Sequence, residues 1–189
     1  NKLDGIDLDF EWAENEKEYK DYSLAILKMR EVLGDKYLFS VSLHPVCYKI
    51  SKEAIEAVDF ISLQCYGPSP VRFPIEKYCS DIQMVLEYGI PKEKLVAGVP
   101  FYGVTKDNSK KTEAYFNFVQ NGLVTSPAQN EVIYQGDTYV FDGQDNIRIK
   151  TRYAKEQKLK GMMSWDLATD LPLSDSRSLL KTMTEELRE

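Results

Sequence analysis

The sequence is poor in the residues that most often bind metals. It has three cysteines, Cys47, Cys65 and Cys79, which form an odd set without Cys-x-x-Cys spacing, and His44 is its single histidine. Because zinc and haem sites draw on clusters of these residue types, we predict no metal site. We expect the cysteines to be free thiols that pack as small apolar side chains.

Long apolar runs and basic clusters are also missing. No run approaches the roughly 20 apolar residues that a membrane-spanning helix requires, so we predict that the chain is not an integral membrane protein. The net charge is −6, and lysine and arginine are spread along the chain instead of forming a basic stripe. Such a chain repels phosphate backbones, which argues against nucleic acid as a ligand and favours a neutral substrate.

What the chain does contain is an alternation of short apolar or β-branched runs with helical segments. This alternation predicts one α/β domain with five βα units around a parallel sheet. The predicted strands cover residues 5–12, 37–43, 60–66, 95–102 and 161–167. The predicted helices cover residues 16–33, a short stretch capped by Ser51, 75–88, 147–158 with Asn146 as its cap, and 174–187. Residues 105–146 form an insertion before the last helix and strand, with a short helix near 113–120 and a hairpin that turns at Gly136-Asp137.

The most informative segment is residues 4–12, which read DGIDLDFEW. Side chains alternate between the two faces of a strand, so Asp7, Asp9 and Glu11 share one face. One interpretation is an amphipathic strand with its acidic face in solvent. The other interpretation places the acids inside a barrel. The remaining strands are apolar enough to look buried on both faces, and a row of like charges costs stability unless it has a function. A carboxyl held beside other carboxylates in a partly desolvated site can keep its proton near neutral pH and give it to a leaving oxygen.

These residues resemble a known family. The order Asp4-x-x-Asp7-x-Asp9-x-Glu11 is similar to the DxxDxDxE strand of glycoside hydrolase family 18, which includes chitinases and endo-β-N-acetylglucosaminidases. Three further segments agree in order: residues 64–66 (QCY) resemble the family's MxY strand, 98–103 (GVPFYG) its GxPxYG strand, and 161–166 (GMMSWD) its last strand. The resemblance implies a (β/α)8 TIM barrel that hydrolyses β-1,4 bonds next to N-acetylglucosamine with retention, the substrate's own acetamido oxygen being the nucleophile.

The resemblance also implies a role for each matching residue. Glu11 is expected to be the general acid and then the base. Asp9 is expected to bind the acetamido N–H and stabilise the positive intermediate, while Asp7 shares a proton with Asp9. Tyr66 is expected to position the acetamido carbonyl, and Trp165 to form the apolar floor under the sugar ring.

Further expectations come from the same motifs. Gln64 and Tyr102 are expected to contact the substrate, and His44 is expected to be a structural histidine. Gly67 departs from the family pattern, which usually has Asp or Asn at that place. No cofactor is implied, the expected partner is a carbohydrate, and an extracellular or periplasmic location follows by analogy because chitin is an external polymer.

Size is the largest departure from the family. A TIM barrel typically needs about 250 residues, and the acidic strand, fourth in the family's barrel, begins almost at residue 1 here. The resemblance therefore implies a truncated barrel that lacks the first three βα units, with residues 1–189 as a partial catalytic domain. We expect an oligomer or a partner segment to cover the open side. The alternatives to a chitin hydrolase are an endoglycosidase acting on N-glycans, a chitin-binding lectin and an inactive fragment.

Overall fold

The structure is a computed structural model that describes residues 2–107 and 109–188. Its strands form two sheets, and the helices pack around them. The strands are β1 (Gly5–Asp9), β2 (Leu38–Leu43), β3 (Phe60–Leu63), β4 (Leu95–Pro100), β5 (Tyr102–Thr105), β6 (Thr112–Ala114), β7 (Glu131–Tyr134), β8 (Asp137–Val140) and β9 (Gly161–Trp165). The α-helices are α1 (Glu16–Leu33), α2 (Lys52–Ala57), α3 (Ile75–Tyr88), α4 (Tyr115–Gln120), α5 (Gln144–Glu156) and α6 (Leu179–Arg188).

The larger sheet is parallel and has the order β1-β2-β3-β4-β9. Its strands are neighbours in the order in which the chain forms them, and each strand is separated from the next by at least one helix. This is the arrangement of consecutive βα units that the sequence predicted, and it brings the carboxyl ends of all five strands to one edge. Among the described residues, β1 pairs on one side only, with β2.

The helices that flank this sheet begin and end largely where the local sequence predicts. Helix α1 has the predicted bounds, with the Asn15 side chain accepting from the N–H of Glu18 and Gly34 ending it at φ 61°. Helix α2 is capped by Ser51 as predicted, through the N–H of Ala54.

The last two helices differ from the prediction. Helix α5 begins at Gln144 with Gly143 as its cap, so the predicted cap Asn146 lies inside the helix, where its side chain donates to Asp142. Helix α6 begins at Leu179 instead of residue 174. Its first N–H groups donate to the carboxylate of Asp170, a cap supplied from nine residues upstream that local pattern does not reveal.

The insertion forms a second, antiparallel sheet with the order β6-β5-β8-β7. It starts at Tyr102, because the chain leaves the parallel sheet after Pro100, three residues before the predicted start at 105. The hairpin turns at Gln135-Gly136, one residue earlier than predicted. Both residues have positive φ, 51° and 88°, as a two-residue turn of this kind requires.

Across strands β1 to β3, the parallel sheet has a polar concave face and an apolar face toward the helices. Asp7 and Asp9 lie level with Ser40 and Ser42 of β2, and Ser62 of β3 continues the row. Strands β2 and β3 are buried on both faces, as predicted, apart from their first residues, but one of the two faces carries serine side chains. The opposite face of β2 and β3 carries the fully buried residues Phe39, Val41, Ile61 and Leu63, which form one core with Ile26 of α1 and Ile82 of α3.

One ion pair is completely buried where the antiparallel sheet meets α5. The Nζ of Lys150 lies 2.6 Å from a carboxylate oxygen of Asp142, and neither side chain is exposed. The ammonium group also lies 5.4 Å from the centre of the Tyr78 ring on α3. The pair therefore joins α5 to the end of β8 and to α3.

Cys47, Cys65 and Cys79 are free thiols, as predicted, and the first two are buried. None of the helices formed by the described residues has the length and apolar composition needed to cross a bilayer.

Candidate active site

A cleft of about 220 Å³ opens at the carboxyl ends of the parallel strands. Its walls come from the ends of β1 and β9, from the segments that follow β1, β2 and β3, and from the start of the antiparallel sheet. The residues lining it are Asp9, Glu11, Trp12, His44, Gln64, Tyr66, Gly67, Pro68, Tyr102 and Trp165. The structure thus brings together six of the seven residues that the sequence singled out, and the seventh, Asp7, lies one step deeper on β1.

Asp7 is held by the neighbouring strand. The hydroxyl groups of Ser40 and Ser42 donate to its two carboxylate oxygens, the second at 2.9 Å. Parallel pairing sets Asp7 opposite Ser40, so the register of β1 on β2 fixes both contacts. A carboxylate with both oxygens accepting hydrogen bonds has a fixed orientation, which makes Asp7 a rigid neighbour for Asp9.

Asp9 faces the cleft and is bonded from β3. The side-chain amide of Gln64 donates to it, with both oxygens at 3.2 Å from the nitrogen. Burial raises the pKa of Asp9, and the charges of Glu11 and Asp7 raise it further, while the bond from Gln64 acts in the opposite direction. Burial and the neighbouring like charges therefore favour the protonated form of Asp9.

Glu11 reaches the same cleft from beyond the end of its strand. Strand β1 ends at Asp9, so the prediction of a strand through residue 12 is wrong, and Glu11 sits in the irregular segment that follows. Its side chain is exposed. The acidic row thus faces the concave side, as expected, but the cleft there is open and not enclosed.

Tyr66 and Gln64 follow β3 into the cleft. Tyr66 is buried and its hydroxyl donates to the sulfur of Met163 at 3.6 Å. Burial raises the pKa of the Tyr66 phenol, with smaller contributions from Tyr102 and Asp9, so the group stays a neutral hydroxyl that can donate. A Cβ on Gly98 would lie 2.9 Å from the Tyr66 ring, so the ring position depends on glycine there.

Tyr102 and Trp165 form the opposite wall. Pro100 pairs with Trp165 in the parallel sheet, and the N–H of Phe101 donates to the carbonyl of Trp165 at 2.8 Å. Trp165 is 53% exposed although it is a large aromatic residue, which leaves its ring free to pack on a ligand. Tyr102 meets Tyr66 edge to face, with ring centroids 6.4 Å apart.

His44 is more than the structural histidine that the sequence predicted, because it also lines the cleft. Its Nδ1 accepts from the N–H of Val46 at 3.2 Å, so Nε2 carries the proton and donates to the carbonyl of Tyr66 at 3.0 Å. Burial lowers the His44 pKa, and the nearby charge of Arg72 lowers it further. The imidazole is therefore neutral.

Sequence reasoning also missed Trp12 and Pro68 in the cleft. His44, Gly67 and Pro68 share a signal with the residues that were found, since each follows the end of a parallel strand, where ligand-binding loops of such sheets lie. Within residues 2–107 and 109–188, no group of His, Cys, Asp and Glu side chains is placed to hold a metal ion.

Comparison with known proteins identifies similar chains of about twice this length. A probable chitinase 2 of Drosophila melanogaster is 23% identical over 232 residues, a match that covers 89% of this chain and 48% of the relative. A solved structure of a chitinase from the chitin utilization locus of Flavobacterium johnsoniae is 29% identical with a TM-score of 0.78, covering 97% of this chain and 60% of the other. The chain thus spans about half the length of the first of these proteins and three fifths of the second.

Two more distant structures share the fold. A plant class V chitinase mutant from Cycas revoluta, solved with (GlcNAc)3, is 18% identical with a TM-score of 0.72 and covers 97% of this chain and 68% of that one. A chitinase-like agglutinin from Robinia pseudoacacia is 18% identical with a TM-score of 0.71 and covers 97% of this chain and 67% of that one. Together these likenesses show a TIM-barrel-like α/β fold, of which the five parallel strands are part.

The match to a family model decides the classification. The model of glycosyl hydrolases family 18 matches residues 1–170, which include all five parallel strands and every residue of the cleft. The resemblance drawn from the acidic strand and its three companion motifs is thereby confirmed, and the chain belongs to glycosyl hydrolase family 18.

Proposed function

We propose that this chain carries the catalytic residues of a glycosidase that cleaves β-1,4 bonds of chitin or N-acetylglucosamine oligosaccharides with retention. The observation that carries the proposal is the convergence of Asp7, Asp9 and Glu11 with Tyr66 and Trp165 around one cleft. A row of carboxyls beside an exposed aromatic plane suits a neutral sugar ring, whose polar edge needs hydrogen bonds and whose C–H face packs on an aromatic ring.

The proposed reaction needs no enzyme nucleophile. Glu11 gives its proton to the leaving oxygen while the acetamido carbonyl oxygen of the substrate attacks the anomeric carbon, so the glycosidic bond breaks as a cyclic oxazolinium forms. Glu11, now a carboxylate, then takes a proton from water as the water oxygen attacks the same carbon and opens the ring. The second displacement restores the original anomeric configuration.

The other residues act on the acetamido group. Asp9 accepts from its N–H and stabilises the positive ring, and the raised pKa of Asp9 supports a proton that Asp9 and Asp7 share. Tyr66 donates from its neutral hydroxyl to the acetamido carbonyl and orients it for attack. Gln64 orients Asp9 through its hydrogen bond. Tyr102 contacts the substrate from the side wall of the cleft, and the ring of Trp165 packs against the sugar ring.

The rest of the barrel is proposed to come from outside these residues. The far edge of β1 is unpaired in the described structure, and Ile6 and Phe10 beside it are 44% and 43% exposed. An open apolar edge favours association. We propose that the five strands are the last five of eight, and that a preceding segment, or another chain in an oligomer, pairs with β1.

Two other functions are compatible with the family. An endoglycosidase acting on N-glycans uses the same chemistry on a different chain of sugars, and the agglutinin neighbour suggests binding without hydrolysis. The presence of Asp7, Asp9 and Glu11 together favours hydrolysis, because a lectin has no use for a proton donor at the leaving oxygen. A substrate that is an insoluble external polymer would place the protein outside the cytoplasm, which we propose by analogy.

Incubation of the full-length protein with a fluorogenic chitobioside tests this proposal. We expect release of the fluorophore and, by NMR, a first-formed product with the β configuration. Release from an N-glycan core but not from chitooligosaccharides would select the endoglycosidase. Binding of chitooligosaccharides without release of the fluorophore would overturn the hydrolase in favour of the lectin.

Replacing Trp165 with alanine should weaken substrate binding more than catalysis. Losing the apolar floor costs about 1–2 kcal/mol of binding, or roughly tenfold in Kd. The Kd is best measured by calorimetry with N-acetylglucosamine oligomers in an inactive Glu11→Gln background. Trp165→Phe is the control and should recover much of the affinity, whereas equal affinity in all three proteins would remove Trp165 from the binding site.

A further inference from the structure

The position of Glu11 poses a structural question. Strand β1 ends at Asp9, so the ladder that fixes Asp7 and Asp9 against β2 does not extend to Glu11. An acid that must meet a leaving oxygen within hydrogen-bond distance needs a fixed backbone. The segment of residues 10–13 must therefore be held by contacts other than strand pairing.

The turn of residues 44–47, which follows β2, supplies such contacts. Within it, the N–H of Cys47 donates to the carbonyl of His44 at 2.7 Å, and the N–H of His44 donates to the carbonyl of Cys47 at 3.3 Å. The His44 ring accepts from the N–H of Val46 at 3.2 Å. Main-chain and side-chain hydrogen bonds thus stabilise the same four-residue turn. His44 and Cys47 are both buried.

Two contacts run from this turn to the Glu11 segment. The N–H of Ala13 donates to the sulfur of Cys47 at 3.1 Å, within a buried environment. The ring of Trp12 meets the ring of His44 edge to face, with centroids 4.7 Å apart. The two residues that follow Glu11 are therefore each bound to one end of the 44–47 turn.

The turn is itself anchored to the rest of the site. The N–H of His44 Nε2 donates a hydrogen bond to the carbonyl of Tyr66 at 3.0 Å. The hydroxyl of Tyr19 on α1 donates to the carbonyl of Val46 at 3.4 Å. One compact turn thus connects the segment after Glu11 with the backbone of Tyr66, on the far side of the cleft.

We propose that the 44–47 turn positions Glu11, with His44 and Cys47 as positioning residues that act through Trp12 and Ala13. The inference rests on the proposed function and adds to it two residues whose role is to hold the Glu11 segment, although His44 also lines the cleft. The thiol acts as a hydrogen-bond acceptor and undergoes no reaction of its own. Losing the contact between Ala13 and Cys47 lets the Glu11 carboxyl move away from the leaving oxygen while the sugar-binding wall stays in place.

The test compares two substrates in the full-length protein. An N-acetylglucosamine oligosaccharide has a poor leaving group that depends on the acid, whereas a dinitrophenyl glycoside of the same sugar departs with little help. Cys47→Ala should lower kcat/KM on the oligosaccharide by about 10- to 100-fold, with a much smaller loss on the dinitrophenyl glycoside. His44→Ala also removes the bond to the Tyr66 carbonyl, so it should lower both rates, and the rate on the oligosaccharide more. Cys47→Ser keeps an acceptor at the same place and should recover most of the loss.

Two features of this design separate positioning from misfolding. A smaller fraction of folded enzyme lowers both rates equally, so only misplacement of the acid changes their ratio. Val32→Ala, on a side chain of α1 that is 87% exposed, is the control and should leave both rates unchanged. Equal losses on the two substrates, or no loss, would overturn the inference alone. Hydrolysis of neither substrate by the wild type would instead overturn the proposed function, and the inference with it.

Discussion

Replacing Glu11 with glutamine in the full-length protein is expected to lower kcat for a fluorogenic chitobioside by about 10²- to 10⁴-fold, the usual contribution of a general acid. The amide has nearly the shape of the carboxylic acid but cannot give a proton to the leaving oxygen. Because Glu11 is exposed at the rim and packs in no core, the free energy of unfolding should stay close to that of the wild type. Steady-state kinetics and a denaturant titration measure the two quantities.

A matched acid-to-amide change controls for loss of charge. Glu16→Gln lies in the exposed first turn of α1, outside the cleft, and should leave kcat unchanged. The KM of Glu11→Gln should change little, because in the proposed binding mode Trp165 holds the sugar ring, and Asp9 and Tyr66 hold the acetamido group. A Glu11→Gln enzyme with the wild-type rate would remove the acid assignment.

The second large effect concerns stability. Lys150→Met should lower the free energy of unfolding at neutral pH by about 3–5 kcal/mol, because it leaves the Asp142 carboxylate buried without its cation. The Lys150–Asp142 pair is fully buried, so water cannot replace the missing partner. Asn146 remains as a donor to Asp142, but a neutral amide at 3.2 Å compensates a charge only partly. Chemical denaturation monitored by circular dichroism gives the value.

The double variant Lys150→Met/Asp142→Leu separates the pair from packing. Removing both charges should recover much of the stability lost in the single variant, since a buried pair and an apolar replacement are often close in free energy. A double variant less stable than Lys150→Met would show that Asp142 contributes through contacts other than this charge.

The elements whose determinants are local could be predicted from the sequence. Helix α1 has the predicted bounds because Asn15 and Gly34 act on the backbone next to them. Helix α6 does not, because its cap is Asp170, which comes close only after the chain has folded back from β9. The passage of the chain from β4 in the parallel sheet to β5 in the antiparallel sheet could not be predicted either. Residues 95–102 form one continuous apolar run, although they belong to both sheets.

The same distinction holds for the cleft. Asp7, Asp9, Tyr66 and Trp165 could be placed from strand alternation and motif order. The positions of Glu11 beyond the strand end and of His44 between two walls depend on pairing between β1, β2 and β3, which periodicity along one strand does not encode. The row of serines on the concave face was missed because short polar residues in a β-branched run look much like core.

The single residue between β4 and β5 constrains how the molecule can move. Phe101 is fully buried. Its N–H donates to the carbonyl of Trp165 in the parallel sheet, and its carbonyl accepts from the N–H of Tyr115, the first residue of α4. A hinge needs a few backbone torsions free to rotate, and none is available where both main-chain groups of the linking residue are occupied. We therefore expect the distance between Trp165 and Tyr102 to be the same with and without the proposed sugar ligand.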